Sequence, residues 1–263
     1  MSVPRWVPLL GAVKQEVEDT RRHLRDLRDL PMEHVQKDME AGKQGGGMIS
    51  QILRETDQGD VDSEGRIHRL KDMASSTYAA SSETTASTIA TFFLVMARNT
   101  QAQRRAQQEI DSVVGRSRLP AIEDRGNLPY IEAIYIEILR LRPPSPMGVP
   151  HRTAEPDHYR GYYIPQGATV VGNIWAMTRD ERVYPEPEEF KPERFLNTNM
   201  NINDILAYGF GRRVCVGRHL ADALLWLTFA SVLACFNIEK EKDEQGNDVD
   251  IPVLYSDGPG TFS

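Results

Sequence analysis

The chain has 263 residues, a formal net charge of −7, 40% hydrophobic residues and two cysteines. This composition indicates one large or two small globular domains and excludes a disordered chain, a coiled coil and a disulfide-stabilised scaffold. The negative balance gives no general attraction for nucleic acid, and two cysteines exclude a four-cysteine zinc site while leaving one thiolate free for chemistry.

The first part of the chain predicts surface helices. Charged residues with apolar residues at helical spacing over positions 13–40 predict one or two helices, interrupted near Pro31. A glycine-rich loop over 42–47, a short helix over 49–55 and an acidic loop over 56–65 are expected to follow.

The middle of the chain predicts long helices. Residues 67–98 contain no Gly or Pro and predict a helix of about 48 Å, whose small, hydroxylated middle crosses the core beside something polar. Amphipathic or apolar helices are expected over 100–114 and 130–142, and the second is stopped by Pro143 and Pro144.

The last part predicts a small amount of β structure before one more helix. The pattern indicates β-type runs at 162–164 and 169–171, a proline-rich segment at 185–192 and a glycine-rich loop at 207–217. A helix at 218–236 and a hairpin over 236–253, turning around 245–247, are expected to follow. The fold class that follows is mostly α with a small segregated β-sheet.

No segment predicts a membrane span. The sequence opens without a secretory signal pattern, and its longest apolar stretch, residues 223–236, is shorter than the roughly 20 residues that a span needs. We therefore expect a buried core helix at that stretch, with Cys235 in the core.

The segment 208–217 carries the strongest chemical signal. Glycines on both sides of Cys215 let the backbone approach a bulky flat group closely, and the helix that follows favours a thiolate at its N-terminus. Arg213 adds positive charge, and a thiolate held in this way can be the axial ligand of a haem iron. The glycines and the arginine argue against a merely buried cysteine, and a dinucleotide loop fails because Val214 stands where its third glycine is needed.

A second signal is the pair Glu137 and Arg140, which share one helical face at i, i+3 spacing. Alone, such a pair is usually exposed, but its apolar neighbours favour a buried pair that needs further partners. Arg194, in the segment 192–195, is a candidate third member.

A third signal lies in the middle of the long helix, where Glu83 stands beside Thr84. A carboxylate next to a hydroxyl in a small-residue stretch can relay protons. The alternative, which the segment by itself favours, is a threonine bonding back to its own helix with Glu83 pointing to solvent.

Together and in this order, the three segments resemble the haem-thiolate monooxygenases of the cytochrome P-450 superfamily, from about residue 30 to the end. The Cys215 loop matches the family's haem signature, with Tyr208 where Phe is usual. Glu137-x-x-Arg140 matches its K-helix motif, and residues 192–195 match the segment that completes its Glu-Arg-Arg triad. Residues 80–85 resemble the oxygen-activating turn of the I helix, with Ser81 where a glycine usually eases local unwinding.

The resemblance implies a role for each matching residue around haem b, iron protoporphyrin IX. Thr84 and Glu83 would deliver protons to dioxygen, and residues 145–149 would border the substrate. Cys215 would be the iron ligand, with Phe210, Gly211 and Gly217 beside it. Arg213 and His151, with Arg152 as a weaker candidate, would bind the haem propionates. Glu137, Arg140 and Arg194 would form the structural triad that supports the Cys215 loop.

The resemblance also implies a reaction and its partners. One oxygen atom of O2 would be inserted into a small hydrophobic substrate, with electrons from an NADPH-cytochrome reductase. The amino-acid pattern of residues 150–152 and 173–175 is similar to that of fungal family members that act in secondary metabolism or on hydrophobic xenobiotics.

The extent of the resemblance predicts one partial domain, residues 1–263, from about helices F/G to helix L with the haem loop and the C-terminal hairpin. The N-terminal half and its endoplasmic-reticulum anchor are expected to be absent, so this chain would have no membrane span and would be cytoplasmic. Two alternatives stay open: a truncated, haem-free, inactive fragment or pseudoenzyme, and an isomerase or dehydratase that uses the same haem without a reductase.

Overall fold

The fold is mainly helical, with two small antiparallel sheets. The computed structural model describes residues 8–43, 47–55, 63–196 and 200–251, which fall into two compact units, residues 1–80 and 81–263. The expectation of a mostly α fold with segregated β structure is confirmed.

The first unit contains α1 (Pro8–Glu40), α2 (Met48–Glu55) and the beginning of α3 (Ser63–Arg98). The predicted interruption of α1 is wrong, because the helix continues through Pro31. Contacts on both sides of this residue offset the lost backbone hydrogen bond. Met32 is buried, and just before the proline Arg28 Nε donates to Asp72 (2.6 Å) and Asp29 accepts from Lys71 (2.9 Å).

The second unit is built around α5 (Pro129–Leu141), of whose 13 residues 11 are buried. A helix that is apolar on all sides is stable only inside a core, and α5 packs against α4 (Thr100–Val113) and α7 (Arg218–Cys235). Its first turn is capped from α4, since the Glu109 carboxylate accepts the N–H groups of Tyr130 (3.0 Å) and Ile131 (3.1 Å). The predicted bounds of these helices are confirmed to within two residues.

Among the described residues, the β structure consists of four short strands and one isolated bridge. β1 (His151–Arg152) pairs with β4 (Thr169–Val170), and β2 (Asp157–Tyr159) pairs with β3 (Tyr162–Ile164), both antiparallel. Helix α6 (Ile174–Met177) follows, and 3-10 helices occupy 122–127, 192–195 and 211–213.

Two expectations about the core are wrong. The hydroxylated middle of α3 is largely exposed, and its buried residues in the second unit begin at Thr88 and end at Ala97. Cys235 is exposed, because it is the last residue of α7 and lies beyond the face that packs in the core.

The predicted C-terminal hairpin is reduced to a turn. Gly246 has a φ of +83°, and strand pairing is limited to one bridge between Lys242 and Asp248. The end of the predicted hairpin, residues 252–253, lies outside the described residues.

Helix α7 has one core face, made by Leu225, Trp226, Phe229, Ala230 and Leu233. Among the described residues, α7 is also the one helix that is long and apolar enough to cross a membrane, by length and composition alone. Only 28% of its 18 residues are buried. A core helix of a soluble domain passes the same test.

Candidate functional site

The loop that carries Cys215 is closed by its own backbone. The Cys215 N–H donates to the carbonyl oxygen of Tyr208 (2.9 Å), so the chain returns on itself before α7 begins. Gly209 and Gly211 have φ values of +77° and +66°, in the left-handed region that favours glycine. These two positions are therefore where the turn requires glycine.

Gly217 differs from the other two glycines. Its φ is −84°, and a Cβ built there would make an ordinary contact of 3.9 Å with Cys215 Sγ. Its backbone conformation therefore does not require glycine.

The thiol of Cys215 is exposed beside the N-terminal end of α7, and Arg212 and Arg213 are exposed in the preceding 3-10 helix. Among the described residues, no three His, Cys, Asp or Glu side chains are grouped so that they could hold a metal ion.

His151 and Phe210 are brought together beside this loop. Their rings are nearly parallel, with an interplanar angle of 7° and centroids 6.4 Å apart. Phe210 also covers Gly172, where a Cβ would come within 3.0 Å of Phe210 Cζ. The loop is thus docked against the β1–β4 sheet, whereas the guanidinium of Arg152 lies over Gly167 in the turn before β4.

Glu137, Arg140 and Arg194 form one connected cluster. Arg140 donates to both Glu137 carboxylate oxygens (2.6 and 3.0 Å), and Arg194 Nε donates to Glu137 Oε1 (3.1 Å). Glu137 and Arg140 side chains are 0% exposed, which excludes the alternative of an exposed surface pair.

The remaining hydrogen-bonding capacity of the cluster is used by the backbone. The Lys191 N–H donates to Glu137 Oε1 (2.9 Å), and Arg140 Nη1 donates to the Thr178 carbonyl oxygen (2.8 Å). A buried ion pair is stable only when such additional bonds are made. The cluster therefore fastens α5 to the segment 178–194.

Glu83 and Thr84 lie on an uninterrupted stretch of α3. Glu83 is exposed, and the Thr84 carbonyl oxygen accepts hydrogen bonds from the hydroxyls of Ser87 (3.0 Å) and Thr88 (2.8 Å). About two turns later, Phe92 stacks on Phe229 of α7 at 4.1 Å. This stack joins α3, which carries Thr84, to α7, which follows Cys215.

Sequence reasoning missed a polar network under the Cys loop. The hydroxyls of Tyr208 and Tyr135 are 2.9 Å apart, although the residues are 73 positions apart in the chain. Nearby, Arg125 donates to both oxygens of Asp222 (2.5 and 2.9 Å) and of Glu132 (2.7 and 2.8 Å). The available signal was Tyr208 itself, because a buried phenol usually needs a hydrogen-bond partner.

The electrostatics of this network favour neutral phenols. Burial raises the pKa of Tyr208 to about 12; the hydrogen bond from Tyr135 opposes this rise, and the charges of Asp222 and a Cys215 thiolate add to it. Burial also raises the pKa of Tyr135, as do Tyr208 and Asp222. Partial burial lowers the pKa of Arg125. The hydrogen bonds and charges of Glu132 and Asp222 together outweigh burial, so the pKa of Arg125 lies above its ordinary value.

Comparison with known proteins agrees with this arrangement. The cytochrome P-450 family model matches residues 2–261. Cytochrome P-450 monooxygenase claR of Ampulloclitocybe clavipes is 39% identical over 260 residues, which is 97% of this chain and 47% of claR. Cytochrome P-450 monooxygenase ple1 of Rhodocybe pseudopiperita is 40% identical over 255 residues, 94% of this chain and 48% of ple1.

A solved relative shows the same fold. A zebra fish cytochrome P-450, solved with progesterone, has a TM-score of 0.61 and 34% identity, covering 71% of this chain and 43% of that one. The chain spans about half the length of the curated relatives it matches. With a family model over nearly its whole length, the chain belongs to the cytochrome P-450 family.

Proposed function

We propose that this chain is the haem-binding part of a cytochrome P-450 monooxygenase, with Cys215 as the iron ligand. The observation that carries the proposal is the exposed thiol at the N-terminal end of α7, in a loop held by two left-handed glycines. The haem is b-type, iron protoporphyrin IX, in this proposal.

The residues present fit such a group. Cys215 offers the soft sulfur donor that haem-thiolate proteins use, and a Cβ placed at Gly209 or Gly211 would meet nothing within 4 Å. Neighbouring atoms therefore do not block close approach of a flat molecule to the loop backbone at these two positions. Haem bound through a thiolate supplies the activation of dioxygen, with the thiolate contributing electron density.

The chain's own residues would bind and orient this group. Cys215 would hold the iron as a thiolate, with Phe210, Gly211 and Gly217 around it. Arg213 and His151 would hold the propionates as charged hydrogen-bond donors. Arg152 is less well placed for this role, because its guanidinium lies over Gly167.

Two further groups would act at a distance from the sulfur. Glu83 would take protons from solvent, to which it is exposed, and the Thr84 hydroxyl would pass them on towards dioxygen. Glu137, Arg140 and Arg194 would keep α5 and the 192–195 segment fixed beneath the site, as their buried bonds support.

The substrate in this proposal is a small hydrophobic molecule, oxidised in fungal secondary metabolism or xenobiotic degradation, and the electron donor is an NADPH-cytochrome reductase. The fungal monooxygenases among the relatives support a role in a fungus. Progesterone, with which the zebra fish relative was solved, supports a small hydrophobic substrate. The endoplasmic-reticulum location of a full-length protein and the single partial domain over 1–263 stay predictions.

Reconstitution with hemin tests the proposal, with the second cysteine as a matched control. Wild type and Cys235→Ala should both give the ferrous–CO absorption band characteristic of thiolate ligation, and Cys215→Ala should lose it. A band that survives in Cys215→Ala contradicts the assignment of the ligand. A wild-type chain that stays colourless favours the haem-free alternative.

Turnover separates the proposed reaction from the other haem alternative. A monooxygenase consumes O2 and needs reducing equivalents from the reductase, whereas an isomerase or dehydratase transforms its substrate without them. Product formed without NADPH would contradict the monooxygenase.

A further inference from the structure

Tyr208 contacts both the backbone of Cys215 and the buried helix α5. Its carbonyl oxygen accepts the Cys215 N–H (2.9 Å), and its hydroxyl lies 2.9 Å from the hydroxyl of Tyr135. Tyr135 is 0% exposed, so its hydroxyl cannot turn to bulk water. The two phenols therefore form a direct connection between the Cys loop and the rigid centre of the unit.

The phenol pair is itself held by charged groups from two helices. Asp222 belongs to α7 and Glu132 to α5, and the Arg125 guanidinium binds both carboxylates. The same guanidinium lies 5.5 Å from the centre of the Tyr135 ring. Arg125 thus bridges the helix that follows Cys215 to the helix that carries Tyr135.

We propose that the Tyr208–Tyr135 hydrogen bond positions the Cys215 loop, which makes Tyr208 a positioning residue for the iron ligand, and that the Arg125–Asp222–Glu132 cluster holds the pair in place. This inference rests on the proposed function, since it concerns the same sulfur. It gives a reason for tyrosine at 208: with Tyr135 opposite, phenylalanine would leave a buried hydroxyl without this partner.

A double-mutant cycle on the full chain tests the inference. Tyr208→Phe, Tyr135→Phe and the double variant are compared with Tyr130→Phe as control. Tyr130 is also a buried tyrosine of α5, but its hydroxyl donates to Glu193 (2.9 Å) instead of the Cys loop. Each single variant loses one phenol hydroxyl and the double variant loses both members of the pair, so the cycle isolates the contact between Tyr208 and Tyr135.

The first measurement is amide hydrogen exchange of residues 208–217 in the chain without haem. Each single variant should exchange about five- to tenfold faster than wild type, because the remaining phenol hydroxyl loses its hydrogen bond to the other tyrosine. The double variant should exchange no faster than the faster single variant, since the pair acts as a unit. Tyr130→Phe should leave this segment unchanged.

The second measurement is the thiolate signature after reconstitution with hemin. The fraction of ferrous–CO complex with the thiolate band should fall by about half or more in Tyr208→Phe and in Tyr135→Phe, and not in Tyr130→Phe. A fall in the control equal to that in the two variants would show a general loss of stability and would overturn the inference.

The hydrogen-exchange and hemin measurements together distinguish a failure of this inference from a failure of the proposed function. Additive exchange effects in the double variant, or unchanged exchange in the single variants, overturn the positioning role even if haem binds. A chain that takes up no hemin contradicts the proposed function, and the exchange cycle then decides the positioning of the loop by itself.

Discussion

The side chains of Glu137 and Arg140 are 0% exposed, and each of their nitrogen and oxygen atoms has a hydrogen-bond partner. Cys215, Arg212 and Arg213, in contrast, are exposed in a glycine-rich loop. The first region holds charge inside the protein, where only a complete set of hydrogen bonds makes it tolerable. The second keeps its polar groups open to an incoming molecule. The residues proposed to support the site therefore differ from those proposed to bind the haem in whether their hydrogen bonds are already satisfied.

The largest effect should come from breaking the buried region. Glu137→Gln keeps the shape of the side chain but leaves Arg140 and Arg194 without their counter-charge, so we expect a loss of about 3–5 kcal/mol in the free energy of unfolding. Urea unfolding measures it, and Glu123→Gln, on an exposed residue, should change little. Equal midpoints for the two variants would contradict the supporting role of the cluster.

An intermediate effect is expected where the Cys loop meets the sheet. A Cβ at Gly172 would lie 3.0 Å from Phe210 Cζ, so Gly172→Ala should displace the ring and cost about 1–3 kcal/mol. Gly126→Ala is the control, because a Cβ there meets nothing within 4 Å. If both variants unfold alike, Phe210 does not dock the loop.

The ion pair of Arg118 and Asp124, in which Arg118 is exposed and Asp124 is half-buried, contrasts with the fully buried Glu137. The hydrogen bonds from Arg118 and from the Ala121 N–H lower the pKa of Asp124 to about 2. Because its folded pKa is depressed, Asp124 contributes stability above its unfolded pKa, and this contribution is lost as the pH falls from about 4 through about 2. The stability of Asp124→Asn should therefore depend less on pH in that window than wild type. An identical acid profile for both proteins would show that the pair contributes nothing.

The smallest change in stability should come from Cys215, the residue proposed to hold the iron. Cys215→Ala removes an exposed sulfur, so we expect the free energy of unfolding of the haem-free chain to stay within about 0.5 kcal/mol of wild type. Urea unfolding beside Cys235→Ala checks this value. A loss comparable to that of Glu137→Gln would remove the distinction between binding and supporting residues.

Local signals were enough for most helices and for the pair within α5. Proline and glycine set the ends of α4 and α5, since Gly115 adopts a left-handed φ of +78° and Pro143 cannot continue a helix. Glu137 and Arg140 are three residues apart, so helix geometry alone places them together. Pro31 shows the opposite case, because contacts from α3 outweigh its local effect as a helix breaker.

The sequence by itself determined the helix pattern, the loop chemistry around Cys215 and the family resemblance, because these depend on neighbours along the chain. Only the tertiary structure decided contacts that no segment of the sequence indicated: Tyr208 reaches Tyr135 across 73 positions, and Arg125 reaches Asp222 across 97. It also decided that Cys235 is exposed at the end of α7. The physical reason is that contacts between distant elements depend on how those elements pack, and a short-range pattern does not specify that packing.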